Sequence, residues 1–251
     1  MSTIVHSPKV AGDIHAPRAW ARVAGVCWLI AIAGGLFAEA FVRARLITHD
    51  SLTTIQNILA NEAMYRLGLA AMVVGTATYL ALTAIMYRLL APVNRTVSLI
   101  AAFFSIAGCA IWMLTLVSDA APLVFFAGVV GSLAPEAAQM QAPAFALLRL
   151  HPELLLLGML CFGVQCLLMG CLIVRATFLP KLLGVILAVG GIGYLAAGFL
   201  HILAPPLAEQ FGRYAFVPGE AGEALMGLWL TLVGVNARKW KLQSGLAEEA
   251  A

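Results

Sequence analysis

Residues 182–203 read LLGVILAVGGIGYLAAGFLHIL, a run without a single Lys, Arg, Asp or Glu. As a helix rising ~1.5 Å per residue it is long enough to cross the ~30 Å hydrocarbon core of a bilayer. The run is typical of the chain: 62% of the 251 residues are hydrophobic and 11% are charged. Mean hydropathy is +0.95. A soluble domain carries roughly 25% charged residues, so this composition excludes a soluble fold, and its apolar content excludes disorder. No alternating segments of the β-barrel kind appear. Helices are required because lipid offers no partner to backbone polar groups.

Working outward from Leu182–Leu203, five more segments qualify as spans: Ala21–Val42, Tyr65–Leu90, Asn94 or Arg95 to Ser118, Leu154–Val174 and Glu220–Asn236. The fold class is therefore all-α, a polytopic transmembrane bundle of six spans. Residues 1–18 read as a disordered N-terminal tail, 19–237 as the transmembrane domain, and 238–251 as a basic then acidic C-terminal tail. Met1–Arg18 holds Pro8, Asp13 and Pro17 without an apolar core, so it does not read as a cleavable signal peptide.

The few charges orient the bundle. With the N-terminus inside, Lys9, Arg18, Arg22, Arg88, Arg95, Arg175, Lys181, Arg238, Lys239 and Lys241 fall on the inner side. Arg43, Arg45, Arg66, Arg149 and Arg213 fall outside, a split of ten against five. Acids divide the other way, with only Asp13, Glu248 and Glu249 inside. Short basic inner loops are where the positive-inside rule applies, so both termini are expected in the cytoplasm. A seventh span would export the basic run Arg238–Lys241 and is rejected. Trp20 and Trp240 are expected as interfacial rings at the inner boundary.

Outer loops hold short interfacial helices in this reading. Asp50 and Ser51 are good caps, and Leu52, Ile55, Ile58 and Leu59 follow at helical spacing. Pro122–Leu133 is apolar but too short to span, so it reads as a half-buried helix or a re-entrant segment; Ala137–Leu150 reads as interfacial. Gly190-Gly191-Ile192-Gly193, and Gly193 with Ala197, suit close helix packing within one bundle. Cys27, Cys109, Cys161, Cys166 and Cys171 show no metal-ligand spacing and read as small apolar side chains.

Ionisable groups inside spans are costly and point to function. Glu39 with Arg43, and Glu62 with Arg66, stand four residues apart and read first as ion pairs. His201, Glu220 and Glu223 lie near span ends on the same side, as do His151 and Glu153. All are expected to converge in the outer third of the bundle. The candidate catalytic residues are Glu39, His201 and Glu223. The candidate substrate- or ion-binding set is Glu39, Arg43, Glu62, Arg66, Gln165, Glu220 and Glu223. No cofactor is evident; His201, Glu220 and Glu223 are the candidates for a divalent metal, since imidazole and carboxylate suit zinc or iron.

Asn61-Glu62, Tyr87-Arg88-Leu89-Leu90, Pro92-Val93-Asn94-Arg95, Phe162 to Gly170 and Leu179 to Gly184, with Gly193-Tyr194 and Trp229, form a recurring pattern of polar landmarks in apolar helices. In these features the chain resembles an uncharacterised bacterial integral-membrane family, domain of unknown function four-three-eight-six, from about Ala19 to Val235. The resemblance implies a multi-span protein of the bacterial inner membrane and brings no established activity. It implies histidine in many members where this chain carries Gln165, so a proton or metal role there does not extend to this chain.

Three classes of function stay open: a structural, sensory or regulatory membrane protein, a transporter of a small molecule or ion, and a membrane-embedded enzyme acting on lipid. The first is favoured and whether the protein is an enzyme is left open, because no phosphate loop, nucleophile elbow or dinucleotide fingerprint occurs. Nor is an inverted repeat visible. Membrane lipid is the expected partner; too few basic residues are present for a nucleic-acid footprint.

Overall fold

The computed structural model describes residues 16–126 and 135–246. The helices are α1 (Pro17–Leu36), a π-helical stretch (Phe37–Arg43) and α2 (Ala44–Leu46), which form one continuous rod. After it come α3 (Ser51–Ala60), α4 (Glu62–Leu90), α5 (Arg95–Phe125) and α6 (Pro135–Leu148). The chain continues through α7 (His151–Arg175), α8 (Lys181–Leu203), α9 (Pro205–Leu232) and α10 (Ala237–Gln243). Among the described residues, five segments are long and apolar enough to cross a membrane: Pro17–Leu46, Glu62–Leu90, Arg95–Phe125, Ala142–Arg175 and Lys181–Leu203. The protein is an all-α, polytopic membrane bundle.

Local signals set the helix starts. Asp50 Oδ2 accepts from Thr53 N at 2.7 Å, Asn94 Oδ1 from Val97 N at 3.0 Å and Asn236 Oδ1 from Lys239 N at 3.1 Å. Each satisfies a donor that the helix itself leaves open. Proline opens α1, α7 and α9, where its missing N–H costs nothing.

The long helices form a closed ring, α1–α4–α5–α7–α8–α9, with α9 packed back on α1. Glycines set the closeness of three seams. A Cβ on Gly191 would stand 2.6 Å from the Gly163 carbonyl oxygen, one on Gly193 2.3 Å from that of Ala215, and one on Gly25 2.4 Å from Thr231 N. Backbone-to-backbone contact of this kind is how helices gain packing in lipid; Gly193 packs against α9 and Ala197 is buried. Inside the ring, Trp28 meets Tyr79 edge-on at 6.4 Å, and Tyr79 and Trp112 meet Phe162 at 4.9 and 4.8 Å. Leu187, Met226, Cys166 and Cys109 fill the same core. Cys171, by contrast, is exposed.

Several boundaries differ from the sequence reading. The third segment does not end near Ser118; α5 runs through Pro122 to Phe125. Of the apolar run Pro122–Leu133, residues 127–134 lie outside the described residues, as do residues 1–15 of the N-terminal tail and 247–251 of the C-terminal one. The last long helix begins at Pro205 rather than Glu220 and carries Pro218 in its interior. Neighbouring helices accommodate an interior proline in such bundles. The helix ends at Leu232, and Gly234, at φ 76°, turns the chain into α10. Trp240 is not an interfacial ring: it is fully buried and donates its indole N–H to Leu89 O at 2.9 Å.

Candidate functional site

The rod α1–π–α2 carries Glu39 and Arg43 in its π-helical stretch. Such stretches recur at functional sites, because one extra residue per turn re-aims the side chains. Arg43 Nε lies 3.9 Å from Glu39 Oε2, and Arg43 Nη2 donates to Leu148 O at 3.0 Å. Arg43 Nη1 pairs with Asp119 Oδ1 from α5. From the start of α7, His151 places Nε2 3.0 Å from Glu39 Oε1 and Nδ1 2.9 Å from Asp119 Oδ2. The imidazole is 1% exposed, and both nitrogens stand off the direct N–H line to those oxygens. They are close polar contacts without hydrogen-bond alignment. Tyr65 of α4 donates its hydroxyl to Asp119 O at 2.8 Å. Four elements of the ring thus meet at one polar centre, in which His151 and Asp119 are buried and the Glu39 side chain is 32% exposed.

Its charges decide what it can do. Glu39 and Asp119 against Arg43 leave one uncompensated negative charge if the imidazole is neutral. A protonated His151 cancels it. Buried charges are costly unless paired, so the protonation of His151 bears on the balance of this centre.

A second polar centre lies in the middle third of the helices. Glu223 Oε2 accepts from Trp28 Nε1 at 3.1 Å, and Cys166 Sγ donates to Oε1 at 3.2 Å. Beside it, Tyr79 OH donates to Gln165 Oε1 at 3.1 Å, and Gln165 Nε2 reaches Met169 Sδ at 3.2 Å. Glu223 is 8% exposed, and no cation pairs with it among the described residues.

The sequence candidates therefore do not converge on one cluster. Glu39 and Arg43 join the first centre, and Gln165 and Glu223 the second. Glu62 and Arg66 form an exposed i,i+4 pair at 2.6 Å. His201 Nε2 meets Glu153 Oε2 at 2.8 Å on the surface, and Glu220 is exposed. Among the described residues no group of three or more His, Cys, Asp or Glu is arranged to hold a metal ion. Sequence reasoning passed over Asp119, Tyr65, Trp28 and Cys166. Asp119 had a signal, a lone acid set between Ser118 and the apolar run Ala120–Phe126. The other three carried none, since nothing in one dimension tells which aromatic or thiol faces a carboxylate.

Bundle and buried polar centres together define an integral membrane protein of unknown biochemical function. A family model described as Domain of unknown function (DUF4386) matches residues 23–234, and the chain belongs to that family. An uncharacterised protein of Archaeoglobus fulgidus is 31% identical over 78 residues, covering 31% of this chain and 44% of that protein. The chain thus spans less than half the length of this relative, which is archaeal, so the likeness is not confined to bacteria. No solved structure matches the chain.

Proposed function

We propose that the protein is a six-span component of the bacterial cytoplasmic membrane, both termini inside, with a sensory or regulatory role in which the outer polar centre responds to protonation. The observation that carries this reading is the buried His151 held between Glu39 and Asp119. When the ring is protonated the centre is neutral and ties the π-helical stretch, α5 and α7 together. Loss of the proton leaves a buried negative charge and loosens those contacts.

The test is the thermal stability of protein in lipid nanodiscs as a function of pH. The sign follows from the charge count: stability is greatest where the imidazolium is present and falls as the pH rises through its deprotonation. A His151→Gln variant should lose that dependence. Equal pH profiles for the two proteins would refute the reading. Reporter fusions at both ends test orientation, and an externally active C-terminal fusion would refute the cytoplasmic placement.

Glu223 favours a second reading, an ion or proton transporter, because an intramembrane carboxylate without a cation partner is a common element of proton pathways. Proteoliposomes carrying an internal pH dye test it. Proton flux abolished by Glu223→Gln supports transport, and absence of flux in the wild type removes it. Metal content of the purified protein tests the divalent-metal reading, for which His201 supplies the exposed imidazole.

A further inference from the structure

We propose that a cavity at the cationic end of the bundle binds the phosphate headgroup of an anionic phospholipid. The cavity has a volume of about 570 Å³. It opens between the start of α1, the loop joining α7 to α8, the end of α9 and α10. Arg18 and Lys239 supply its charge and no acid lines it. Arg18 is fixed at the rim because its Nε donates to Val233 O at 3.2 Å. Phe178, Leu179, Trp229 and Val235 form an apolar wall behind the two cations. The volume falls within the ~300–1,000 Å³ usual for small-molecule sites.

Charge complementarity selects an anion. Among the described residues, this end of the bundle holds Arg18, Arg22, Arg88, Arg95, Arg175, Lys181, Arg238, Lys239 and Lys241, and no Asp or Glu. The surroundings select a lipid over a free phosphate ester. Leu232 and Val233 are 70% and 42% exposed beside the rim, on the surface that hydrocarbon would cover. A headgroup seated between Arg18 and Lys239 can therefore run its acyl chains down α9. The site depends only on the cationic end of the bundle, whichever side of the membrane that end faces.

Native mass spectrometry of the detergent-solubilised full chain tests it, with phosphatidylglycerol, phosphatidylcholine and glycerol 3-phosphate as probes. Phosphatidylglycerol should be retained preferentially, and Lys239→Gln should weaken its binding about fivefold, the increment one cation supplies near an anionic headgroup. Arg18→Gln with Lys239→Gln should weaken it about twice that much in log units. Arg95→Gln, at the same end but away from the cavity, should leave retention unchanged. Among the described residues Lys239 makes no side-chain hydrogen bond or ion pair, so its replacement separates loss of the site from loss of packing. Equal retention of the two lipids, an equal effect of Arg95→Gln, or wild-type retention by the double variant would each overturn the proposal. Glycerol 3-phosphate competing as well as the lipid would overturn the assignment to lipid.

Discussion

At the scale of single residues, the two ion-pair patterns that look alike in the sequence behave differently. Glu62–Arg66 and Glu39–Arg43 share the i,i+4 spacing, but the first pair stands in solvent and the second is built into a buried centre. The difference comes from Asp119 and His151, which approach only through tertiary packing. Asp119→Asn strands the Arg43 guanidinium and unbalances His151, so it should destabilise the protein by about 3–5 kcal/mol, the cost of breaking a buried pair. Arg66→Gln should change stability by at most about 0.5 kcal/mol. Chemical unfolding in detergent, read from tryptophan fluorescence, compares them. Similar losses for both would mean that the centre around Asp119 and His151 is solvated and carries no more weight than a surface pair.

At the scale of elements, span cores were legible because hydropathy alone defines them: Leu182–Leu203 and Tyr65–Leu90 match α8 and α4 to within a turn. Ends were less legible. Pro122 and Pro218 lie inside α5 and α9, where packed neighbours let both helices continue through them. The expected span end near Ser118 left Asp119 outside the third span, and the expected start at Glu220 put Glu223 at a span end; Asp119 instead joins Glu39, Arg43 and His151, and Glu223 lies midway along the bundle. Seam glycines offer a direct test of the packing. Gly191→Ala puts a methyl 2.6 Å from backbone atoms of α7 and should cost about 1–3 kcal/mol through separation of the helices. Gly35→Ala meets nothing within 4 Å and should stabilise by up to about 1 kcal/mol through helix propensity. The cap of α3 adds a pH signature. Hydrogen bonding from Thr53, from its side chain and its backbone N–H, holds the Asp50 carboxyl below its ordinary range. A lowered value means the cap contributes above the unfolded carboxyl pKa and is lost as the pH falls below about 4. Hydrogen exchange at the first turn of α3 should accelerate there, and in an Asp50→Asn variant it should not change with pH beyond the intrinsic rate.

At the scale of the whole molecule, composition and hydropathy identify the class of fold, while the face each helix presents to its neighbours is a property of the closed ring. Which carboxylate meets which donor therefore had to wait for three dimensions: Glu223 finds Trp28 from the first long helix and Cys166 from α7. The ring also explains how α9 is held. It is not among the five segments apolar enough to cross by composition, and it carries Glu220, Glu223 and Pro218. Two influences remain to place it: glycine contacts with α8 and α1, and the basic residues Arg238, Lys239 and Lys241 that follow it. Basic residues next to a weakly apolar helix have their greatest leverage on orientation. Replacing all three with Gln should therefore give a mixed population in a dual-reporter assay at the C-terminus, whereas Lys181→Gln before the strongly apolar α8 should leave that reporter unchanged. If the triple variant keeps a single orientation, packing against α8 and α1 is sufficient to hold α9. In that case Gly193→Leu, which drives a side chain into the Ala215 backbone, is the substitution that should release it.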